Sequence, residues 1–246
     1  MSLWIGIRTD RNCAMSYVED RVGDLSRVAA NGKSGVGTVG CRSTNHYIKA
    51  NGELKMVAQL TQTKKLTPEE YLTIEVTLPD RHEYRNGEMI VKASGNPNHN
   101  DIAGNFYIVL RLALKKQPYE VFYADQRLWL PEAQIYTYPD VMVLQKPIEL
   151  QTGRSDTVMN AIAIVEVLST STQDYDRGEK FVAYRSMPDF QDYVLVNQTK
   201  TYVEHYQKTA SNQWLLTVHT DETDRISLKS CGITIVIADL YEGIDP

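Results

Sequence analysis

The chain has no apolar run long enough to span a bilayer and no secretory hydrophobic stretch near Met1. Cysteine is scarce. Cys13, Cys41 and Cys231 form an odd set with no metal-ligand spacing, so a disulfide scaffold and a zinc cage are both excluded, and a reducing, cytoplasmic setting is expected. Excess positive charge is lacking too: 26 Lys and Arg stand against 31 Asp and Glu, a net charge of −5. That excludes a protein that coats nucleic acid electrostatically, but not one with a local basic cleft. What is present is 246 residues, 42% of them hydrophobic, enough for one domain with a good core and room for an appendage.

The stretch from Ala161 to Tyr184 organises the rest. AIAIVEV is a short apolar, β-branched run broken by one carboxylate, Glu166, and reads as a buried strand. A buried carboxylate is costly unless a cation, a metal ion or donor hydrogens compensate it. Ser169 to Thr172 supply helix caps, and a helix is expected from about Asp174 to Ser186. Asp176, Lys180 and Tyr184 fall four apart on it and share a face. Phe181, Val182 and Met187 are expected to turn it toward the sheet.

Residues 1–55 show no sustained period, and Gly32 to Ser43 is rich in glycine, serine and small residues. They are expected to lie outside the fold, as a disordered or non-native extension, with Met56 as the native start. The domain, 56–246, opens with Thr67-Pro68-Glu69-Glu70, a capping box with proline in the first turn. His82 to Val91 reads as a hairpin turning at Asn86-Gly87. A longer helix follows from Pro97, with Ile102, Phe106, Val109, Leu110 and Ala113 on its apolar face. Val121–Leu130 and Ile135–Leu144 read as strands, with Asp140 at the mouth of the second, and Gly153 to Asn160 as a polar loop. Asp192–Val196 is another strand, 200–207 and 214–220 a hairpin, and Gly232 to Leu240 closes the chain. The order predicts an α/β fold, a mixed sheet flanked by helices.

Asp140 and Glu166 each stand beside a strand run. Carboxylates from neighbouring strands can converge on Mg²⁺, which wants oxygen ligands and keeps several waters. A nearby lysine then orients or deprotonates water and offsets developing charge. On spacing alone, a turn role for Asp140 and a structural Glu166–Lys180 ion pair account for the same residues.

Four strings, HEYRNGE, YPDVMVL, VEVLSTST and DRGEKFVAY, occur here in one order. Together they resemble the bacterial restriction-endonuclease family once known only as a domain of unknown function, within the PD-(D/E)XK nuclease superfamily. The resemblance covers roughly Leu66 to Leu240. It implies a restriction-endonuclease-like mixed sheet and a Mg²⁺-dependent endonuclease acting on DNA, with Mn²⁺ as a substitute. Asp140 corresponds to the aspartate of the PD element and Glu166 to the acid of the second element, the two metal ligands, with the Val167 carbonyl as a further donor. Leu168 stands where the superfamily has lysine, and Lys180 takes the place of the migrated lysine. Glu83 matches a further family acid, and His99 lies near a family histidine, although a helix-start histidine is ordinarily a cap or surface group. Asp176 and Tyr184 are expected to hold Lys180. Lys92, Arg111, Lys115, Lys116, Arg127 and Arg177 are candidate DNA contacts. A homodimer suits the cutting of both strands of a duplex. The alternatives are a catalytically silent DNA-binding or scaffold protein on the same fold, and a metal-free hydrolase using Asp140 and Glu166 as an acid/base pair.

Overall fold

The computed structural model describes residues 3–8, 17–20, 45–50, 53–57, 65–92 and 94–244, the first four spans by backbone path alone. Two units divide between Lys64 and Lys65. In the first, β1 (Leu3–Arg8), β2 (Tyr17–Asp20), β3 (Asn45–Ala50) and β4 (Glu53–Val57) pair antiparallel in the order β2-β1-β3-β4. The expectation that 1–55 stands outside the fold falls for the most part outside the described residues, as do Cys13 and Cys41.

The second unit begins as its capping chemistry requires. In α1 (Pro68–Glu75), Thr67 Oγ1 accepts from the Glu70 amide at 3.2 Å and the Glu70 carboxylate accepts from the Thr67 amide at 2.9 Å. The hairpin of β5 (His82–Arg85) and β6 (Glu88–Val91) turns through Asn86 (φ 46°) and Gly87 (φ 99°), both left-handed as this turn demands. The Asn96 side chain caps α2 (Pro97–Ala113) by accepting the His99 amide at 2.8 Å. Ile102, Ala103, Phe106 and Leu110 form its buried face, continued by Leu114. Ala113, expected there, is exposed.

Each of the two long strands expected next is two strands. β7 (Tyr119–Tyr123) and β8 (Arg127–Leu130) are separated by a turn through Ala124, whose φ is 56°. β9 (Ile135–Thr137) and β10 (Val141–Gln145) are separated at Tyr138-Pro139-Asp140. At both breaks the chain passes from one sheet to the other, which alternation of apolar residues does not register. The expected polar loop contains β11 (Thr157–Val158). β12 (Ala161–Leu168) is buried at all eight positions. A helical stretch follows: α3 (Gln173–Tyr175), a π turn (Asp176–Lys180) and α4 (Phe181–Tyr184). β13 (Asp192–Asn197), β14 (Val203–Ala210), β15 (Gln213–His219), β16 (Arg225–Leu228), β17 (Ile233–Val236) and α5 (Ile237–Leu240) complete the unit.

The main sheet has six strands in the order β15-β14-β13-β12-β10-β7, parallel only between β12 and β13. The helical stretch is the crossover that a parallel pair requires. A five-stranded sheet runs β11-β8-β9-β5-β6, and β16 pairs with β17. Parity along β12 sorts the two cores. Ala163, Val165 and Val167 pack with α2, β17 and α5, whereas Ile164 and Leu168 pack with Tyr184, Met187, Phe190 and Tyr193. Glu166 shares the second parity. Val182, expected to face the sheet, is 59% exposed; Ala183 and Tyr184 are buried instead, and Phe181 stacks on Tyr193 at 5.4 Å. Among the described residues no helix is long and apolar enough to cross a membrane.

Asp192 is fully buried at the start of β13 and ties three segments together. Its Oδ1 accepts from His205 Nε2 at 2.8 Å and from the Gln207 amide group at 3.2 Å, and its Oδ2 accepts from the Ser230 amide at 2.9 Å. Burial opposes its ionisation, but these donors outweigh burial and hold the carboxyl below its ordinary value. A depressed folded pKa adds stability above the unfolded value of 3.8 and loses it as pH falls through the folded value. Asp192→Asn is therefore expected to cost about 3 kcal/mol at pH 7. In urea melts the gap from the parent protein should narrow steadily below the unfolded value; a gap independent of pH refutes the assignment.

Candidate active site

The register of β10 and β12 decides the geometry. Val141 pairs with Val165 and Met142 with Ile164, so one step further Asp140 stands opposite Glu166. Directly opposed residues of an antiparallel pair project from the same face. Asp140 also follows the proline that ends the crossing from the second sheet, so its carboxylate is fixed at the strand mouth. Oδ2 of Asp140 accepts the Val167 amide at 2.9 Å, across the two strands.

Lys180 reaches this face from the helical stretch. Its Nζ lies 2.9 Å from Glu166 Oε1, 3.2 Å from Asp176 Oδ1 and 3.7 Å from Glu83 Oε1. Lys180 is 6% exposed and Glu166 3%. A lysine on an exposed helix paired with Asp176 alone is thus not what the fold builds. The π turn that carries Asp176 and Lys180 inserts a widened turn where the helix passes Glu166, a feature frequent at functional sites. Tyr184 donates to Glu166 Oε1 at 2.6 Å, so it holds the glutamate, whereas the expectation was that it holds the lysine. Asp176 does hold the lysine.

Glu83 comes from the neighbouring sheet. Thr137 Oγ1 donates to its Oε1 at 2.6 Å and Arg85 Nε to its Oε2 at 3.1 Å. Arg85 lies over the Tyr175 ring, 3.4 Å from its centroid. Around Asp140, Lys92 Nζ lies 3.3 Å from Oδ1 and His99 Nε2 3.1 Å from Oδ2. His99 therefore lines the site and is neither the cap nor the surface group that a helix-start histidine ordinarily is; Asn96 does the capping. Gly95 makes room for it: a Cβ there would lie 2.6 Å from His99 Nδ1. Glu83, Lys92, His99, Asp140, Glu166 and Lys180 line a cleft of about 360 Å³ together with Ser169, Ser171 and Thr172.

Electrostatics separates the two opposed carboxyls. For Asp140, burial favours the neutral form, but the Lys92 ammonium and His99 overcome it and hold the carboxyl well below its usual range. For Glu166, burial dominates, Asp140 and Asp176 add to it, Lys180 opposes, and the carboxyl is pushed up to about 7. Burial of Glu83 is outweighed by Lys180, Thr137 and Arg85, which lower it. Lys180 pays for burial, yet Glu166 and its neighbours hold the ammonium charged well above its ordinary range. The Asp140 contact raises His99 against its burial.

The structure brings Asp140, Glu166, Lys180, Glu83 and His99 into one cleft. Lys92, expected as a surface DNA contact, is on Asp140. Arg127 is 6% exposed and its Nε donates to the Tyr138 hydroxyl at 2.8 Å, so it is no surface contact. Arg177 pairs with Glu204 and Arg111 with Glu120. Lys115 and Lys116 are exposed. The sequence reading missed Arg85 and Tyr175. Arg85 was detectable, because period two in β5 places it on the face of Glu83.

Comparison with known proteins follows the same boundaries. The signature of the Uma2 family, described as "Putative restriction endonuclease", matches residues 68–237, more than half of the chain. An uncharacterized protein of Synechocystis sp. (strain ATCC 27184 / PCC 6803 / Kazusa) is 41% identical over 155 residues, 63% of this chain and 88% of its own length. A second uncharacterized Synechocystis protein is 34% identical over 180 residues, 73% of this chain and 93% of its own. The crystal structure of a "putative nuclease belonging to DUF820" from Anabaena variabilis superposes with a TM-score of 0.58 at 19% identity, over 72% of this chain and 98% of that one. That likeness shows the fold, a mixed α/β architecture. With the signature spanning both sheets and the cleft, the chain belongs to the Uma2 family.

Proposed function

We propose that the cleft is the active site of a divalent-cation-dependent endonuclease that hydrolyses DNA phosphodiester bonds. One observation carries the reading. Asp140 and Glu166 stand opposed on one sheet face, with the Lys180 ammonium 2.9 Å from Glu166 in a cleft walled by a second sheet. DNA as the substrate class rests on the family.

The residues fit Mg²⁺, or Mn²⁺ in its place. Among the described residues no three His, Cys, Asp or Glu converge as a cage. Mg²⁺ does not need one, since it keeps most of its waters and takes one or two carboxylates. Asp140 and Glu166 would hold it, with the Val167 carbonyl as a further donor. When bound, the ion supplies Lewis-acid charge at the phosphodiester.

The chain's own residues position and compensate. Asp176 and Glu83 aim the Lys180 ammonium into the cleft, where it orients the attacking water and offsets charge growing on the phosphate. Tyr184 fixes Glu166 by its hydroxyl. Arg85, stacked on Tyr175 and bonded to Glu83, keeps the wall of the cleft rigid. Two copies facing a duplex would cut both strands.

Plasmid and single-stranded DNA incubated with Mg²⁺ or Mn²⁺ test the reading. Cleavage should stop on chelation and in Asp140→Ala. DNA binding without cleavage under all these conditions selects the silent alternative, and cleavage that survives chelation selects the metal-free one.

Lys180→Arg should keep the buried charge and the fold but lower cleavage by about 10²–10³-fold, because the planar guanidinium cannot take the ammonium's place. Lys180→Ala takes the cation from buried Glu166 and Asp176, while Glu83 keeps Arg85, and should cost about 3–5 kcal/mol. Its cleavage must therefore be measured below its lowered thermal midpoint. Parent-like cleavage by Lys180→Arg discards the role given to this lysine.

A further inference from the structure

Lys92 sits where the sequence placed a candidate surface contact to DNA, yet it makes a specific contact at the site. Oδ2 of Asp140 accepts from the Val167 amide and lies against His99, whereas the recorded contact of Oδ1 is Lys92 Nζ at 3.3 Å. Nζ also donates to the Tyr138 carbonyl. The Lys92 backbone is pinned by its amide to Arg81 O at 2.7 Å, at the end of β6. Any movement of the ammonium is therefore a swing of the side chain alone.

There is room for that swing. Lys92 lines the 360 Å³ cleft and also an adjoining one of about 290 Å³, and the two share Ser94, Gly95, His99 and Asp140. Its side chain is 27% exposed, unlike that of Lys180 at 7%. A hard divalent cation binds a carboxylate oxygen at about 2.0–2.1 Å. An ammonium already against that oxygen would be a like charge a few ångströms away, at a carboxylate whose side chain is only 8% exposed.

We propose that Lys92 is a tethered counter-cation: it neutralises Asp140 in the metal-free protein, yields that carboxylate when a divalent cation binds, and by this competition sets the cation affinity. The proposal rests on Asp140 being a cation ligand, as read above. It makes Lys92 a weakening residue for metal binding and a stabilising one for the empty site. A purely structural lysine would have only the second effect.

The test is Mn²⁺ binding by titration calorimetry to the full chain at pH 8, with thermal midpoints in EDTA. Lys92→Met keeps the stem and removes the charge. Lys92→Gln also keeps an N–H donor for the Tyr138 carbonyl, and serves if Lys92→Met folds poorly. Lys92→Arg keeps the charge, and Lys115→Met removes an exposed charge elsewhere. The expected result is a lower midpoint in EDTA and about tenfold tighter Mn²⁺ binding for the Met and Gln variants. The Arg and Lys115 variants should stay near the parent. Parent-like or weaker Mn²⁺ binding by both neutral variants, with the parent still binding, overturns the counter-cation alone. No Mn²⁺ binding by the parent or any variant overturns the metal reading of the cleft, and this inference with it.

Discussion

An ammonium withdrawn from water costs several kcal/mol unless its surroundings repay it, and Lys180 is repaid by three carboxylates from three elements. Glu166 comes from the central strand β12, Asp176 from the π turn and Glu83 from the hairpin of the second sheet. The contact fixes the helical crossover against the sheet and the second sheet against both. It is a condition on the fold as well as a feature of the site. Tyr184, which donates to Glu166, packs in turn on Phe190 and Tyr193, and Phe181 stacks on Tyr193.

The opposed carboxyls receive unlike surroundings. Asp140 has the Lys92 ammonium, the His99 ring and a backbone donor, which hold its carboxyl well below its usual range. Glu166 has one cation, a tyrosine hydroxyl and two further acids nearby, and lies near 7. Environments that push paired titratable groups apart are characteristic of sites that handle charge and protons. The arrangement also shows why removing a single charged member should be felt across the cluster: Lys180 is shared by Glu166, Asp176 and Glu83, and Asp140 by Lys92 and His99.

The same architecture explains why the site is where it is. The chain leaves the second sheet at Tyr138-Pro139 and enters the main sheet at Val141, and Asp140 is the residue at that crossing. The hairpin that supplies Glu83 and Arg85 belongs to the sheet being left. A cleft between two sheets is thus lined from both by the chain's own path, and β12, buried on both faces, forms its floor.

Much of this was legible in the residues. The capping box at Thr67, the Asn86-Gly87 turn, the buried β12 and the four-residue spacing of Asp176, Lys180 and Tyr184 are local, and local chemistry fixes them. The four family strings located Asp140, Glu166, Lys180 and Glu83. Alternation merged β7 with β8 and β9 with β10, because a bend between two sheets preserves the apolar pattern on each side. Helical spacing put Val182 on the sheet side and Ala113 in the core, because a π turn shifts the face of one helix and the register of burial closes at Leu114 in the other. Period and composition could not place Lys92 and His99 on Asp140, nor Tyr184 on Glu166. The sequence by itself determined the capping box, the Asn86-Gly87 turn and the buried strand β12, and marked Asp140, Glu166, Glu83 and Lys180 as candidates. Only the tertiary structure decided which charges meet, because contacts such as Lys92 to Asp140, 48 residues apart, and Thr137 to Glu83, 54 apart, exist only once the two sheets have closed over the same crossing.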